Sequence, residues 1–354
     1  MGSAEDIYAS AASGNRVVAI GDDSNIDPVI WTTTDGRDWT LGDLSFFPGY
    51  AELNDVSAFQ YGFVVVGYED FNGQQIPFIL KSNDGRTWEH DEQYNLADGN
   101  FYNVASVGST TVIYGDSKGQ FGFVVSHDGG LTWGPLADPD GVTNNGLEDL
   151  IATNDAFWAF SPASGANKAP IEIWRSTDGD SWTSVGTIAG SAGAEDLQVA
   201  QGPLGWVALA DNTQKLKQVN YAWWSADGIN WQAAQNPPFA FSDIFADDAG
   251  FIVVGKWLPK PSGCALDPAE YAGVSWTSVD GLLWTRMPDE GWQSRWIEQL
   301  RRYGRTLVGI GIDYSGADDT GVGAIWTAKL PSLAANSGPV PSNPPSPTGG
   351  GCGP

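Results

Sequence analysis

The sequence has very little cysteine, histidine or basic side chain for its 354 residues. Its two cysteines, Cys264 and Cys352, are too few for a disulfide framework and form no metal-binding motif. Its two histidines, His90 and His127, lie far apart in the chain, which argues against a histidine zinc site or a Ser-His-Asp triad. The sequence therefore predicts neither a disulfide scaffold nor histidine-based catalysis.

Only 17 Lys and Arg residues accompany 43 Asp and Glu residues, so the net charge is -26. Nucleic acids and anionic lipid surfaces are bound through basic footprints, which this composition does not supply. No apolar run approaches the roughly 20 residues that span a bilayer. The polar first residues, 1–6, also lack the apolar segment of a signal peptide. We expect no nucleic-acid partner and no direct membrane insertion.

Tryptophan and glycine are abundant, and they recur in a fixed pattern. Six hairpins combine Ser or Thr, a turn of Asp and Gly, and a closing Trp; their acids and indoles are Asp35, Asp84, Asp128, Asp178, Asp227, Asp280, Trp39, Trp88, Trp133, Trp182, Trp231 and Trp284. The tryptophans are 49, 45, 49, 49 and 53 residues apart. That period is the length of one four-stranded propeller blade.

Short β-branched and aromatic runs precede each hairpin, as at residues 17–21 and 63–67, and another occurs at 307–311. This last run belongs to a seventh unit, which has a third strand at 324–327 but no Asp-Gly hairpin. The sequence predicts an all-β fold: a seven-bladed β-propeller of four-stranded antiparallel blades over residues 1–330, with an atypical seventh blade. Residues 331–354 are rich in Pro, Ser and Gly and are predicted to form a flexible tail or linker.

The hairpins resemble the Asp-box (BNR) repeats of sialidase-like propellers, and residues 126–133 fit the full Ser-x-Asp-x-Gly-x-Thr-Trp form. The shorter form of the other five is similar to that of uncharacterised secreted bacterial members. The resemblance implies an extracellular or cell-surface location in a bacterium, with a signal peptide that is not present in this chain. In this family the boxes lie away from the active site, so we expect these hairpins to be structural.

Sialidases of this family hold their substrate carboxylate with three arginines and carry an Arg-Ile-Pro signature near the N-terminus. Here residues 75–77 read Gln-Ile-Pro, and the arginines suitable for the ligand face lie together between Arg286 and Arg305 instead of on three blades. The sequence therefore favours a non-catalytic protein with no catalytic residues. A glycoside hydrolase that uses two carboxylates stays as the alternative, and an assembly or structural module within a larger surface structure is a third.

One set of polar residues recurs at the start of the predicted innermost strands, where it would ring the mouth of the central channel. Its members are Asp6, Asp55, Asn103, Asp149, Asp196, Asp243 and Gln299. Such oxygen ligands suit calcium or magnesium. Their recurrence in nearly every unit instead favours hydrogen bonds that tie each blade to the next. We expect no cofactor, with calcium as the alternative.

Departures from the repeat should mark the binding site, and they concentrate in units five to seven. Nine of the 17 basic residues lie between Lys215 and Arg305, and unit six carries a long insertion from Trp257 to Gly273. Aromatic rings beside guanidinium groups can stack on sugars and clamp carboxylates. The candidate ligand-binding residues are Trp257, Tyr271, Trp292, Arg295, Trp296, Arg301 and Arg302.

The other interpretation of these residues is structural: Trp292 and Trp296 would cap the last blade, and the arginines would pair with surface acids. We interpret the chain as a binding or scaffold propeller that recognises a glycan or a protein through the channel-mouth face of blades five to seven. The sequence indicates no particular ligand and no oligomeric state.

Overall fold

The computed structural model describes residues 6–23, 25–47, 50–91, 96, 98–163, 169–211, 220–238, 240–257, 272–288, 294–303, 306–315 and 322–329. The predicted tail, 331–354, and most of the insertion in unit six, 258–271, lie outside this set. No helix within the described part has the length and apolar character needed to cross a membrane.

Seven small antiparallel sheets make up the described chain. Sheet one contains β1 Asp6–Ser13, β2 Arg16–Asp22, β3 Pro28–Thr33 and β4 Trp39–Leu41, and sheet two contains β5 Ala51–Phe59, β6 Gly62–Phe71, β7 Gln74–Ser82 and β8 Glu89–His90. Sheet three contains β9 Gly99–Val107, β10 Thr110–Ser117 and β11 Gln120–Ser126. Sheet four contains β12 Asp149–Ala152, β13 Phe157–Pro162, β14 Ile171–Ser176 and β15 Thr183–Thr187. Sheet five contains β16 Glu195–Gly202, β17 Gly205–Asp211, β18 Tyr221–Ser225 and β19 Trp231–Ala233. Sheet six contains β20 Asp243–Asp247, β21 Gly250–Trp257, β22 Ala272–Ser278 and β23 Thr285–Arg286. Sheet seven contains β24 Arg295–Tyr303, β25 Thr306–Asp313 and β26 Val322–Lys329. A 3-10 turn at Pro139–Gly141 is the only helical element among the described residues.

The first strands of the seven sheets form a closed ring. In cyclic order, β1, β5, β9, β12, β16, β20 and β24 each contact the next, and β24 returns to β1. The prediction of an all-β seven-bladed propeller is confirmed. Five sheets have four strands, while sheets three and seven have three strands each in the described chain. We call the end where the first strands begin the channel-mouth end.

The core is divided into seven apolar clusters, one in each space between neighbouring sheets. Three hairpin tryptophans are buried in these spaces: Trp88 between sheets one and two, Trp182 between three and four, and Trp284 between five and six. Trp39, Trp133 and Trp231 pack half-buried in the other spaces that precede their own sheets. The space between sheets six and seven has no hairpin indole, because sheet seven has no such hairpin.

Each Asp-Gly hairpin is held by the same short hydrogen bonds. In sheet five, Ser225 Oγ donates to Asp227 Oδ1 at 3.0 Å and accepts the Gly228 N–H at 3.0 Å. The same carboxylate oxygen accepts the Ile229 and Asn230 N–H groups at 2.9 and 2.8 Å. These bonds, first among them the Asn230 N–H, hold the pKa of Asp227 far below its ordinary value. The hairpins join third to fourth strands, so they lie at the end opposite the channel mouth.

The repeated glycine of the second strand allows a bulge in the first strand. A Cβ on Gly67 would lie 1.9 Å from the Glu52 carbonyl oxygen, and one on Gly311 would lie 2.1 Å from the Trp296 carbonyl oxygen. Register shifts follow in the first strands, between Leu53 and Asp55 in sheet two and at the equivalent place in sheet seven. These bulges set which side chains stand at the channel mouth.

Candidate functional site

The predicted ligand-binding residues fall into separate places in the structure. Trp257 ends β21, and Arg295 and Trp296 begin β24, so all three lie at the channel-mouth end of sheets six and seven. Tyr271 and Trp292 lie outside the described residues. Arg302 pairs with Leu307 beside the turn at the opposite end of β24. Seven residues along a strand correspond to about 23 Å, so Arg302 is remote from Arg295.

Trp296 forms the centre of a cluster between sheets six and seven. Its ring is only 3% exposed and stacks on Tyr314, with 5.3 Å between the ring centroids and 18° between the planes. The Lys256 ammonium lies 4.9 Å from the Trp296 ring centroid and 3.2 Å from Glu298 Oε1. The Trp296 indole N–H donates to the same Glu298 oxygen. The buried ring therefore supports Lys256, whose side chain is 39% exposed, at the surface.

Trp257 faces the other side of sheet six, towards sheet five. It packs half-buried against the apolar cluster between sheets five and six. The Arg286 guanidinium carbon lies 4.6 Å from the centroid of its ring. Each of the two inter-sheet spaces that border sheet six thus ends at the channel mouth in an indole ring with a cation on its face.

Arg295 is held in an ion pair on sheet seven. Its Nε donates to Asp313 Oδ2 at 2.9 Å, and its Nη2 donates to Ser315 Oγ at 2.7 Å. Burial would raise the pKa of Asp313, but the hydrogen bonds from Ser315 and Arg295 outweigh it and lower the pKa overall. The guanidinium keeps 38% of its side-chain exposure, so it presents N–H groups to solvent in a fixed orientation.

Arg301 lies inside the channel and bridges three sheets. Its Nε donates to the Ser10 carbonyl of sheet one at 2.7 Å, and its Nη1 donates to Asp243 of sheet six at 2.7 Å. Its Nη2 donates to Gln299 of its own sheet at 2.9 Å. These bonds occupy the guanidinium with protein acceptors, so Arg301 joins sheets and does not stand with Trp257 and Arg295.

The pairing register corrects two members of the predicted channel-mouth ring. The equivalent positions, each opposite the corresponding residue of the second strand, are Ala9, Asp55, Asn103, Asp149, Gln198, Asp243 and Gln299. Ala9 replaces Asp6 and Gln198 replaces Asp196. A bulge or register shift near the start of each of these two first strands changes which residue lies opposite a given residue of the second strand. Carboxylates occupy this position in sheets two, four and six only.

Those three carboxylates bond to the neighbouring first strand. Asp55, Asp149 and Asp243 accept the N–H groups of Val104, Val199 and Leu300 at 2.8, 2.7 and 2.7 Å. Because burial disfavours the charged form, the pKa rises to about 6 in Asp55 and about 7 in Asp149. Burial also raises the pKa of Asp243, although the Arg301 charge opposes it.

Metal binding was the alternative role for the ring. Within the described chain, no group of three or more His, Cys, Asp and Glu side chains is arranged to hold a metal ion. The ring carboxylates instead have backbone N–H partners in adjacent sheets, a geometry that links neighbouring sheets around the channel.

No family model matches the sequence, and no curated protein sequence matches it. Among solved structures, the chain is similar to the lectin BP39L from Burkholderia pseudomallei, with 15% identity, coverage of 94% of this chain and 96% of the lectin, and a TM-score of 0.54. It is also similar to the polysaccharide lyase Uly1, with 9% identity, coverage of 91% and 90%, and a TM-score of 0.56. A puromycin hydrolase shares 9% identity over 91% of this chain and 52% of its own, with a TM-score of 0.53. At these identities the similarity establishes the propeller fold alone.

Proposed function

We propose that this protein is a non-catalytic, extracellular or cell-surface propeller that binds a glycan through the channel-mouth face of sheets six and seven. The observation that carries the proposal is the pair of indole rings at this face, each with a cation against it. Arg286 stands 4.6 Å from the Trp257 ring and Lys256 stands 4.9 Å from the Trp296 ring.

The groups around these rings match the chemistry of a sugar. Lys256 and Arg295 supply oriented N–H donors, while Glu298, Asp313 and Ser315 supply oxygen acceptors beside them. A sugar hydroxyl needs both kinds of partner. Trp257 is the half-buried ring of the two and offers apolar surface to a sugar ring, whereas Trp296 is buried and supports Lys256. We include Tyr271 and Trp292 in the proposed site from their positions in the sequence, since one directly precedes β22 and the other shortly precedes β24; both lie outside the described residues.

The structural neighbours support glycan binding only in general terms. One is named a lectin and another a polysaccharide lyase, so this fold does present carbohydrate-binding surfaces in other proteins. The hydrogen-bond pattern of the hairpins supports their assignment as Asp-boxes, which would form the structural end of the molecule.

A glycan array with the wild-type protein and the variants Lys256→Ala, Arg295→Ala and Trp257→Ala tests the proposal. We expect one glycan class to bind and each variant to lose about tenfold or more in affinity, which corresponds to about 1.4 kcal/mol. Arg37→Ala, an exposed arginine in a hairpin at the opposite end, is the matched control and should bind normally.

Two results would overturn the proposal: no glycan retained by the wild type, or retention unchanged in all three variants. Turnover of fluorogenic glycosides that is lost on Asp→Asn substitution would instead favour the glycoside hydrolase. A stable homo- or hetero-assembly in native mass spectrometry that buries this face would favour the structural module.

A further inference from the structure

The outer edge of sheet three departs from the repeat. Five other sheets end in a fourth strand, whereas β11 is joined to the segment that follows it by a single bridge, between Phe123 and Ala137. The Phe123 N–H donates to the Ala137 carbonyl at 2.6 Å, and the Ala137 N–H donates back at 3.0 Å. The chain then leaves β11 through the 3-10 turn Pro139–Gly141. We call residues 136–146 the edge loop.

A cavity of about 360 Å³ lies between the channel-mouth end of β11 and the edge loop, where the other sheets continue their fourth strand. Small-molecule sites in proteins commonly have volumes of about 300–1,000 Å³. The residues that line it include Gln120 and Phe121 of β11 and Leu136, Asp138, Thr143 and Asn144 of the edge loop. We call it the edge cavity. Because one cavity touches all of these residues, their side chains can contact a single bound molecule.

The β11 wall of the edge cavity offers an aromatic ring and main-chain groups. The Phe121 ring is 40% exposed and stacks on Tyr114, with 5.9 Å between the centroids and 18° between the planes. Alternate residues of an antiparallel strand direct their N–H and C=O groups to the same edge. Phe121 therefore directs these groups to the edge on which Phe123 bonds to Ala137. In the described chain no hydrogen bond reaches the Phe121 main chain on that edge.

The edge-loop wall supplies a carboxylate, a hydroxyl and an amide. Asp138 Oδ1 accepts the Thr143 N–H at 2.9 Å, while Oδ2 of the same carboxylate has no partner among the described residues. Thr143 is fully buried, and its Oγ1 has no hydrogen-bond partner in the described chain. Burying a hydroxyl without a partner is unfavourable, so a polar ligand group at this depth is favoured. Asn144 is exposed, and its amide has both a donor and an acceptor.

The edge loop is anchored on sheet four. Asp140 Oδ2 accepts the Trp182 N–H at 3.1 Å, and Asn145 Nδ2 donates to the Pro162 carbonyl at 3.1 Å. These two bonds hold the loop on both sides of Thr143. A wall that is already ordered loses little conformational freedom when a ligand binds.

The chemistry of the edge cavity favours an uncharged ligand with several hydroxyl groups. Asp138 is the only charged residue among the described residues that line it, so an anionic ligand would meet a carboxylate without a counter-charge. An ammonium would suit Asp138 but has no acceptor for the N–H groups of Phe121 and Asn144. Two neighbouring sugar hydroxyls can donate to the carboxylate and accept from the amide at once. The apolar face of the same sugar can lie on the Phe121 ring.

We propose that the edge cavity binds the terminal hexose of an uncharged glycan, with the sugar ring on Phe121 and two neighbouring hydroxyls on Asp138 and Asn144. This inference goes beyond the proposed function, because it assigns a second site on another sheet and names its ligand class. The site at sheets six and seven has Lys256 and Arg286 on its indole rings instead.

Titration of the methyl glycosides of glucose, galactose and mannose, followed by saturation-transfer NMR, tests the proposal. We expect at least one of them to bind the wild type. Asp138→Asn should lower its affinity about tenfold, because the substitution removes a charge-assisted hydrogen bond but keeps an acceptor for the Thr143 N–H. Phe121→Leu keeps an apolar side chain without the flat ring and should lower the affinity several-fold.

Deoxy forms of the bound glycoside locate the hydroxyl that Asp138 accepts. The form that lacks this hydroxyl should bind the wild type about tenfold more weakly, and Asp138→Asn should weaken its binding little further. Independent losses from the two changes would overturn the placement of that hydroxyl on Asp138. The comparison of deoxy forms on the wild type needs no variant.

Asp70→Asn and Phe71→Leu are the matched controls and should bind normally. Both residues are exposed and lie beside the corresponding turn of sheet two, where Asp70 Oδ1 also accepts a main-chain N–H, that of Gly73, at 2.8 Å. Thermal midpoints confirm that all variants are folded. No binding of any of the three glycosides, or unchanged binding in both Asp138→Asn and Phe121→Leu, overturns the inference. Binding of ethanolamine as tight as that of the glycoside, with the same sensitivity to Asp138→Asn, overturns the sugar assignment in favour of a cation.

The variants separate this inference from the proposed function. Lys256→Ala should leave the methyl glycoside titration unchanged, and Asp138→Asn should leave the array signals that depend on Lys256 unchanged. Loss of array binding in Lys256→Ala without any methyl glycoside binding would overturn the edge cavity alone. Methyl glycoside binding that depends on Asp138, with no array signal that depends on Lys256, would overturn the site at sheets six and seven alone.

Discussion

The spaces on the two sides of sheet six are filled by different chemistry. Between sheets five and six, Trp284 is fully buried among aliphatic and aromatic side chains, and its indole N–H donates to the Gly281 carbonyl at 3.1 Å. Between sheets six and seven, the buried apolar cluster consists of Ile252, Val254, Leu300 and Leu307. There Arg301 adds an ion pair with Asp243 at 2.7 Å and a bond to sheet one. The contact between sheets five and six thus depends on apolar burial, and we call it the apolar joint. The contact between sheets six and seven adds a charged bridge, and we call it the charged joint.

The largest expected effect comes from the apolar joint. Trp284→Ala should lower the free energy of unfolding by about 3–5 kcal/mol, because it removes a buried indole and leaves a cavity. Denaturant titration of the variant against the wild type measures this loss. Leu283→Ala, the exposed neighbour at 51% exposure, should change stability by less than about 0.5 kcal/mol. Similar losses in the two variants would contradict the role of the Trp284 ring in filling the space between sheets five and six.

The charged joint should be weaker but more specific. Arg301→Leu should lower the free energy of unfolding by about 2–3 kcal/mol, since it leaves Asp243 unpaired. This value is below that of a fully buried pair because the two side chains keep 26% and 14% exposure. A double-mutant cycle with Arg301→Gln and Asp243→Asn should give a coupling of about 1 kcal/mol or more. Strictly additive effects would show that the two residues do not stabilise the joint as a pair.

Asp55 and Asp149, the ring carboxylates that make no ion pair with arginine among the described residues, should make the stability of the protein depend on pH. The folded-state pKa is about 7 for Asp149 and about 6 for Asp55, above the ordinary value of 3.8 expected in the unfolded chain. The folded state therefore binds more protons between about pH 4 and 7, so their contribution to the free energy of unfolding falls as pH rises through that window. Asp149→Asn should make the difference in denaturant midpoint between about pH 5 and pH 8 smaller.

Asparagine already occupies the equivalent position in sheet three, Asn103, so the Asp149→Asn substitution fits the site. Asp227→Asn, in an exposed hairpin where the carboxylate pKa is lowered instead of raised, is the control and should not flatten the slope in this window. An unchanged pH dependence in Asp149→Asn would contradict the raised pKa.

The smallest expected effect is at the channel-mouth end of the charged joint. Lys256→Met should cost about 0.5–1 kcal/mol, because it removes a partly buried ion pair with Glu298 and a cation above the Trp296 ring. The loss should shrink in about 1 M salt, which the Trp284→Ala loss should not do. A salt-independent loss would indicate that Lys256 acts through packing of its methylene groups.

The sequence predicted the sheets better than the positions within them. Hairpin tryptophans at regular spacing indicated six units, because each of these units repeats one local hydrogen-bond pattern and one tryptophan that packs between sheets. The 307–311 run indicated the seventh unit. The channel-mouth ring was misaligned at Asp6 and Asp196, since a bulge or register shift moves the pairing by a residue or more without changing the composition of the strand.

The sequence pattern could not identify contacts between residues that are far apart in the chain. Arg301 appeared as one of several clustered arginines, and its place in the channel depends on Ser10, 291 residues away. Lys256 and Glu298 were missed, although Lys256 directly precedes the predicted Trp257. The useful signal would have been the positions of the first-strand register shifts, which occur in sheets one, two, three, five and seven of the described chain.

The closure of the ring between β24 and β1 has a consequence for topology. Sheet seven and sheet one are adjacent in space, yet only hydrogen bonds, the Arg301 contacts and apolar packing join them in the described chain. A circular permutant that connects these sheets through a peptide linker and opens the chain in a hairpin turn would turn that seam into a covalent joint. A mechanical pull on the natural strands β1 and β26 should separate the molecule first at this seam, whereas the permutant would resist the same force there and yield elsewhere.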